Sequence, residues 1–144
     1  MNEETKKKLI RTAFENLKYS YAPYSKFNVA AALLGKDGNI YAGVNVENSC
    51  YPAGICAERN AVFSAVAKGC REFEAIAICG GEGGNVDKYC FPCGICRQVI
   101  SEFVKPDEFK VICAVSEDDY AEKTLGELLP DSFAGDMLKN NDDI

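Results

Sequence analysis

The order of the apolar segments limits the fold of this chain more than any other feature. The runs FNVAAALLG and IYAGVNV are separated by KDGN, whose Asp37-Gly38 pair is a turn signal, so they predict a β-hairpin. Two later runs, FEAIAIC and FKVICAV, have the length and continuous hydrophobicity of buried strands.

Segments with helical spacing lie between these runs. They cover residues 2–19, 57–68 and 94–104, and the tail from Lys123 begins helical and breaks at Pro130. The order is therefore α-β-β-α-β-α-β-α, which indicates a mixed sheet with helices on its faces. At 144 residues we expect a single domain, 1–144, with an acidic end that frays.

Charge and composition exclude several classes of protein. The net charge is -6, and a nucleic-acid partner is not expected because such proteins usually carry a basic stripe. The N-terminal stretch lacks the apolar region of a signal peptide, and no apolar run approaches the length of a membrane span. We therefore expect a cytoplasmic protein that binds no membrane and accepts a small, uncharged substrate.

Cysteine usage indicates metal binding or catalysis. The chain has eight cysteines and no histidine. Disulfides are not expected, because the cytosol keeps thiols reduced. Cys79 and Cys113 lie inside apolar runs and look like small core residues, whereas Cys50, Cys70 and Cys90 have no role that the sequence assigns.

Two cysteine motifs fall at predicted helix starts. In GICAERNAV, Cys56 precedes a helix and Glu58 lies two residues on; in CFPCGICRQ, Cys93 precedes another helix and Cys96 lies in its first turn. A helix N-terminus favours thiolate, the form of cysteine that binds metal. Three sulfurs leave the fourth position of a tetrahedral zinc open to water. At its spacing, Glu58 can face that water without occupying the metal.

The paired motifs, with NVENSCYPAGICAER, PCGICRQ and LLPDSF in order, resemble the small cytidine deaminases of nucleoside salvage. The similarity runs from about residue 21 to residue 133. It implies a three-layer α/β/α fold with a mixed, mostly five-stranded sheet. It also implies one zinc ion per subunit, a homotetramer with shared active sites, and hydrolysis of cytidine and deoxycytidine to uridine, deoxyuridine and ammonia.

The resemblance also implies roles for individual residues. Cys56, Cys93 and Cys96 fall on the zinc ligands, and Glu58 falls on the group that carries a proton from water to N3 of cytosine and then to the departing amino group. The expected substrate contacts from the same subunit are Phe27, Asn45, Glu47 and the Ala57 N–H, and those from a neighbouring subunit are Tyr51 and Phe133. Charge balance adds a role for Arg59: three thiolates around a zinc ion leave excess negative charge, which a guanidinium donating to the sulfurs would offset.

Several of these residues can also have a purely structural role. Glu58 can be an ordinary helix-start carboxylate and Arg59 a surface ion-pair residue. Asn45 and Glu47 can be turn residues. Phe27 and Phe133 can be core side chains; for Phe133 this means anchoring the tail.

Three alternative functions also remain open. Cys90, Cys93 and Cys96 spell the beginning of an iron–sulfur motif, although position 100 is Ile100 where a fourth cysteine would be needed. Cys90 can instead close a purely structural four-cysteine zinc site with Cys56, Cys93 and Cys96. A related deaminase acting on another aminopyrimidine, such as the nucleoside antibiotic blasticidin S, is the third.

Overall fold

The computed structural model describes residues 1–138, so the predicted fraying of the acidic end at 139–144 lies outside them. At its centre is a five-stranded sheet. The strands are β1 (Phe27–Gly35), β2 (Ile40–Val44), β3 (Phe73–Glu82), β4 (Lys110–Ala114) and β5 (Tyr120–Thr124). The helices are α1 (Glu3–Asn16), α2 (Ala57–Ala67), α3 (Gly94–Ser101) and the short α4 (Leu125–Leu128).

The sheet is mixed, as the sequence predicts. Its strands lie in the order β2-β1-β3-β4-β5. The predicted hairpin pairs β1 with β2, and β1 also runs antiparallel to β3. β3 and β4 are parallel, connected by the crossover that contains α3.

Helices cover both faces of the sheet, which confirms the three-layer prediction. Because side chains alternate along a strand, Ala30 and Ala32 of β1 pack with the α1 residues Leu9 and Ile10. The alternate residues of β1 pack on the other face, in the cluster that contains the buried residues of α2 and Ile100 of α3.

The fifth strand corrects the prediction of a helical tail from Lys123. Tyr120–Thr124 pairs antiparallel with β4, and a helix forms only over Leu125–Leu128, capped by the Thr124 side chain. The strand has no apolar run because it lies at the sheet edge with partly exposed side chains. Glu122 in it forms an ion pair with Lys6 of α1 at 2.7 Å.

Two other helices are shorter than predicted. α1 ends at Asn16 and continues as a single 3₁₀ turn, and α3 ends at Ser101 instead of at 104. Helix ends are stabilised by local capping that apolar periodicity does not reveal. Within residues 1–138, no helix combines the length and the apolar character that a membrane crossing requires.

A glycine sets the position of α2. A Cβ at Gly43 of β2 would lie 2.4 Å from the Ala57 carbonyl oxygen and 2.4 Å from the Ala61 nitrogen. Only glycine therefore permits this close approach of helix to strand. The Asn60 amide adds a hydrogen bond of 3.0 Å to the Val44 carbonyl. The first turn of α2 is thereby fixed at the end of β2.

Candidate active site

The cysteine motifs lie at helix starts, as predicted. Cys56 is the residue before α2, Cys93 is the residue before α3, and Cys96 is in the first turn of α3. The Cys93 sulfur accepts a hydrogen bond of 3.5 Å from the Cys96 amide. Two helix N-termini therefore present their sulfurs to one point, where the exposed N–H groups favour thiolate.

The three sulfurs are close enough to share one metal ion. The Sγ atoms of Cys56 and Cys93 lie 3.8 Å apart, those of Cys93 and Cys96 lie 3.4 Å apart, and all three are within 4.8 Å of one another. A tetrahedral zinc with Zn–S bonds of about 2.3 Å separates its sulfurs by about 3.8 Å. Among residues 1–138, this cluster does not include Cys90. The donor set thus fits a three-sulfur zinc site.

The surroundings of the cluster favour thiolate at Cys56. The pKa of Cys56 is lowered to about 5, mainly by its hydrogen bond with Cys96 and then by the Arg59 guanidinium. The pKa of Cys96 is raised, because it acts as the donor in that bond and is buried. Arg59 donates to the Cys56 sulfur at 3.4 Å, and the pKa of Arg59 is raised by that thiolate. Nε of Arg59 is buried and has no hydrogen-bond partner among the described residues.

Glu58 is a buried carboxyl beside the sulfur cluster. Its exposed fraction is 4%, and it lines the same cavity as Cys56 and Cys93. Burial, with a smaller contribution from the charge of the nearby Cys56 thiolate, raises the pKa of Glu58 to about 7. A carboxyl with a pKa near neutrality can both accept and donate a proton at physiological pH. Glu58 is therefore suited to general acid–base chemistry.

A cavity of about 550 Å³ opens over these groups, within the usual range for small-molecule sites. The predicted residues Asn45, Glu47, Tyr51, Ala57 and Arg59 all line it. Additional lining residues come from the 24–25 turn, the strand ends and the loop before α3: Tyr24, Ser25, Val29, Val46, Asn48, Gly54, Ile55, Cys90 and Phe91.

Ala57 supplies a backbone donor to the cavity. It is the first residue of α2 and is fully buried. The first N–H groups of a helix have no acceptor inside the helix. The partial positive charge and free N–H groups of this helix start therefore favour an acceptor atom of a ligand bound beside Glu58.

The polar wall of the cavity is held by its own hydrogen bonds. Glu47 Oε1 accepts from the amides of Tyr24 and Ser25 at 3.0 and 3.1 Å, and Oε2 accepts from the Ser25 hydroxyl. These bonds lower the pKa of Glu47, the Ser25 hydroxyl most of all. Asn45 Oδ1 accepts from the Val29 amide at 3.0 Å, and Nδ2 donates to the Phe27 carbonyl at 2.8 Å. Both side chains are pre-oriented before any ligand binds.

The three aromatic residues predicted for the site lie at its edge or outside it. Tyr51 lines the cavity mouth and is 75% exposed, with its ring 6.0 Å from that of Tyr24. Phe27 lies in a neighbouring cavity of about 430 Å³ with Cys90 and is 43% exposed. Phe133 is 59% exposed and does not line either cavity. Neither phenylalanine is a core residue of the single chain.

Sequence patterns missed Ser25 and did not predict the position of Cys90. Ser25 holds Glu47 from 22 positions away in the sequence, and Cys90 lines both cavities. Burial raises the pKa of Cys90 to about 11, which favours the neutral thiol. Of the other unassigned cysteines, Cys70 is in the core and Cys50 is exposed. The C-x-x-C-x-x-C spacing drew attention to Cys90 but did not predict that it lines both cavities.

A three-cysteine cluster beside a buried glutamate, on a five-stranded sheet flanked by helices, is the arrangement expected of a zinc-binding hydrolytic deaminase. The family model "Cytidine and deoxycytidylate deaminase zinc-binding region" matches residues 3–114, and the chain belongs to this cytidine deaminase family.

Curated relatives agree with the family match over nearly the whole chain. A cytidine deaminase of Sporosarcina psychrophila is 44% identical over 91% of this chain and 93% of its own length. One from Halalkalibacterium halodurans is 40% identical over 92% of this chain and 96% of its own length.

Solved structures share the fold. A crystal structure of cytidine deaminase from Burkholderia pseudomallei aligns with a TM-score of 0.80 at 41% identity, covering 92% of this chain and 100% of that one. The Mycobacterium tuberculosis cytidine deaminase aligns with a TM-score of 0.74 at 36% identity, covering 88% and 94% of the two chains.

Proposed function

We propose that this protein hydrolyses cytidine and deoxycytidine to uridine and deoxyuridine with release of ammonia. The observation that carries the proposal is the buried Glu58 carboxyl in a cavity shared with the Cys56, Cys93 and Cys96 cluster. The relatives' names support the substrate class. The three thiols are the proposed ligands, and zinc held there supplies a Lewis acid that lowers the pKa of a water at the open position.

Glu58 is proposed to move the protons. Its carboxylate takes a proton from the attacking water and delivers it to N3 of the pyrimidine, which makes C4 electrophilic. The water oxygen adds to C4, and the Glu58 carboxylate then takes the remaining proton of that oxygen and passes it to the amino group. The C4–N bond breaks, ammonia leaves, and C4 is left as a carbonyl with the first proton on N3. A pKa near neutrality lets one group perform both transfers. The Ala57 N–H is proposed to donate to the pyrimidine carbonyl oxygen.

Asn45 and Glu47 are the proposed contacts for the sugar. Both line the cavity that Cys56, Glu58 and Cys93 also line. Glu47 is held as a carboxylate and accepts hydrogen bonds, as ribose hydroxyl groups require. A nucleotide would bring its phosphate toward this carboxylate. The preferred substrate is therefore the free nucleoside.

We also propose that the active unit is a homo-oligomer, specifically a tetramer. The cavity is lined by the exposed aromatic rings of Tyr24, Tyr51 and Phe91. An apolar surface of this kind is typical of a protein interface. Tyr51 and Phe133 are then available to a neighbouring subunit's cavity, and Phe27 is proposed to pack on the base when the site is complete.

The chemistry of the cysteines supports a location in a reducing compartment of the cell. All eight cysteines are free, and a thiolate site needs a reducing compartment to stay intact. We propose a cytoplasmic enzyme of pyrimidine nucleoside salvage, formed by a single domain, with neither nucleic acid nor membrane as partner.

One substrate comparison tests the proposal. Cytidine, deoxycytidine, cytosine, cytidine monophosphate and a short cytosine-containing oligonucleotide are incubated with the protein, and the ultraviolet change on deamination is followed. Rapid turnover of the two nucleosides is expected, with poor turnover of the others. Faster reaction of the monophosphate or the oligonucleotide would refute the nucleoside assignment, and inactivity toward all five would refute the activity.

A further inference from the structure

Arg97, the residue after Cys96, connects two separate segments of the chain. Its Nε donates a hydrogen bond of 2.7 Å to the Pro92 carbonyl, and one terminal nitrogen donates one of 2.7 Å to the Leu128 carbonyl. The side chain is partly buried. Pro92 immediately precedes the cysteine that begins the turn, and Leu128 ends α4.

The contact at Pro92 closes the turn that carries two of the sulfurs. The Arg97 amide donates to the Cys93 carbonyl at 3.0 Å, while its side chain reaches back to Pro92. Inside the turn, the Cys96 amide donates to the Cys93 sulfur. The guanidinium of Arg97, which follows Cys96, is therefore bonded to the carbonyl of Pro92, which precedes Cys93.

The segment that follows α4 rests on the same helix. Gln98 Nε2 donates to the Phe133 carbonyl at 2.7 Å. A Cβ at Gly135 would lie 2.9 Å from a Glu102 carboxylate oxygen, so the backbone there lies directly against that side chain. Arg97, Gln98 and Glu102 thus hold residues 128–135, here called the C-terminal segment.

We propose that Arg97 is a positioning residue that couples metal retention by Cys93 and Cys96 to the placement of the C-terminal segment. A planar guanidinium with donors at fixed angles can hold two carbonyls at once, which a lysine ammonium does not reproduce. Side chains that orient metal ligands affect metal binding without touching the ion. Coupling between two sites is reciprocal, so loosening either one weakens the other. The proposal rests on the zinc site proposed above.

The test measures zinc and backbone exchange, and no substrate is added. Zinc transfer to a chromogenic chelator is timed for the wild-type protein, Arg97→Met, Arg97→Lys and Gln98→Ala, with the exposed Arg71→Met as the matched control. Hydrogen exchange of peptides covering residues 125–138 is then compared in zinc-loaded and zinc-stripped protein.

Arg97→Met is expected to release zinc roughly 10- to 100-fold faster than the wild type, with Arg97→Lys nearly as fast and Arg71→Met unchanged. Zinc removal should speed exchange of the wild-type C-terminal segment, and Arg97→Met should lose that zinc dependence. Gln98→Ala leaves the Cys93–Cys96 turn intact and removes only a hydrogen bond to the C-terminal segment. If the coupling holds, this variant should still release zinc about fivefold faster than the wild type.

Two results would overturn the coupling. One is wild-type zinc release from Arg97→Met or, if that variant does not fold, from Gln98→Ala. The other is equal exchange of the C-terminal segment in loaded and stripped wild-type protein. Failure of the wild-type protein to bind zinc would refute the metal site itself and the coupling with it, which separates the two failures.

Discussion

Arg59 lies one helical turn beyond Cys56 and donates a hydrogen bond of 3.4 Å back to its sulfur. Between them in the sequence, Glu58 faces the cavity as a buried carboxyl. The first turn of α2 therefore provides a sulfur, an acid–base group and a compensating cation. Arg59 is the cation among the residues that line the cavity, alongside the acidic Glu47 and Glu58.

Replacing Glu58 with glutamine is expected to abolish turnover while preserving zinc. The change keeps the size of the side chain and removes its acid–base chemistry, which contributes roughly 10²–10⁴-fold for each assisted step. Turnover of cytidine and zinc content are measured together, with the exposed Glu15→Gln on α1 as the control. A Glu58→Gln variant that kept a third of the activity would remove this carboxyl from the reaction.

Arg59→Ala is expected to lower turnover and move the pH–rate profile to higher pH. Three thiolates and a carboxylate concentrate negative charge, and losing the nearby cation makes each remaining proton harder to remove. The measurement is kcat against pH for this variant and for the exposed Arg71→Ala. An unchanged profile would reduce Arg59 to a surface ion-pair residue.

Glu47→Ala is expected to cost roughly 10- to 150-fold in kcat/KM for cytidine, because a hydrogen bond to a charged group is worth about 1.5–3 kcal/mol. Free cytosine, which lacks the sugar, is the internal control. The variant also frees the amides of Tyr24 and Ser25, so Ser25→Ala is run beside it. An equal slowing of cytidine and cytosine would show that Glu47 supports the cavity without reading the sugar.

Activity is expected to depend on assembly. Tyr51 and Phe133 are exposed in the single chain, and Phe133 lies outside the cavity, so its proposed contact with substrate requires a neighbouring subunit. Phe133→Ala and Tyr51→Ala are compared with Phe63→Ala, an exposed ring on α2 that does not line the cavity. Molecular mass by light scattering is read beside turnover. A folded monomer with full activity would exclude shared sites.

Sequence patterns predicted the central strands and the starts of the two motif helices, because both depend on local rules. The apolar runs on either side of the Asp37-Gly38 turn signal identified β1 and β2, and the cysteines at positions 56 and 93 do precede helices. The edge strand β5 was missed because its pairing with β4 is tertiary and its residues are partly polar.

Contacts distant in sequence limited the prediction of the site. The Ser25–Glu47 and Arg97–Leu128 hydrogen bonds join positions 22 and 31 residues apart, and no periodicity connects them. Phe27 is predicted to pack on the base; in the single chain it lines the neighbouring cavity, so that contact stays a prediction. A strand pattern gives the side of the sheet but not which of two adjacent cavities a ring enters.

The most direct measurement is X-ray absorption at the zinc edge of the purified protein. One zinc per chain is expected, surrounded by three sulfurs at about 2.3 Å and one lighter atom. This result would match a site held by Cys56, Cys93 and Cys96 alone, beside the cavity that Glu58 lines. Four sulfurs would mean a closed structural site that includes Cys90, and would contradict a hydrolytic centre.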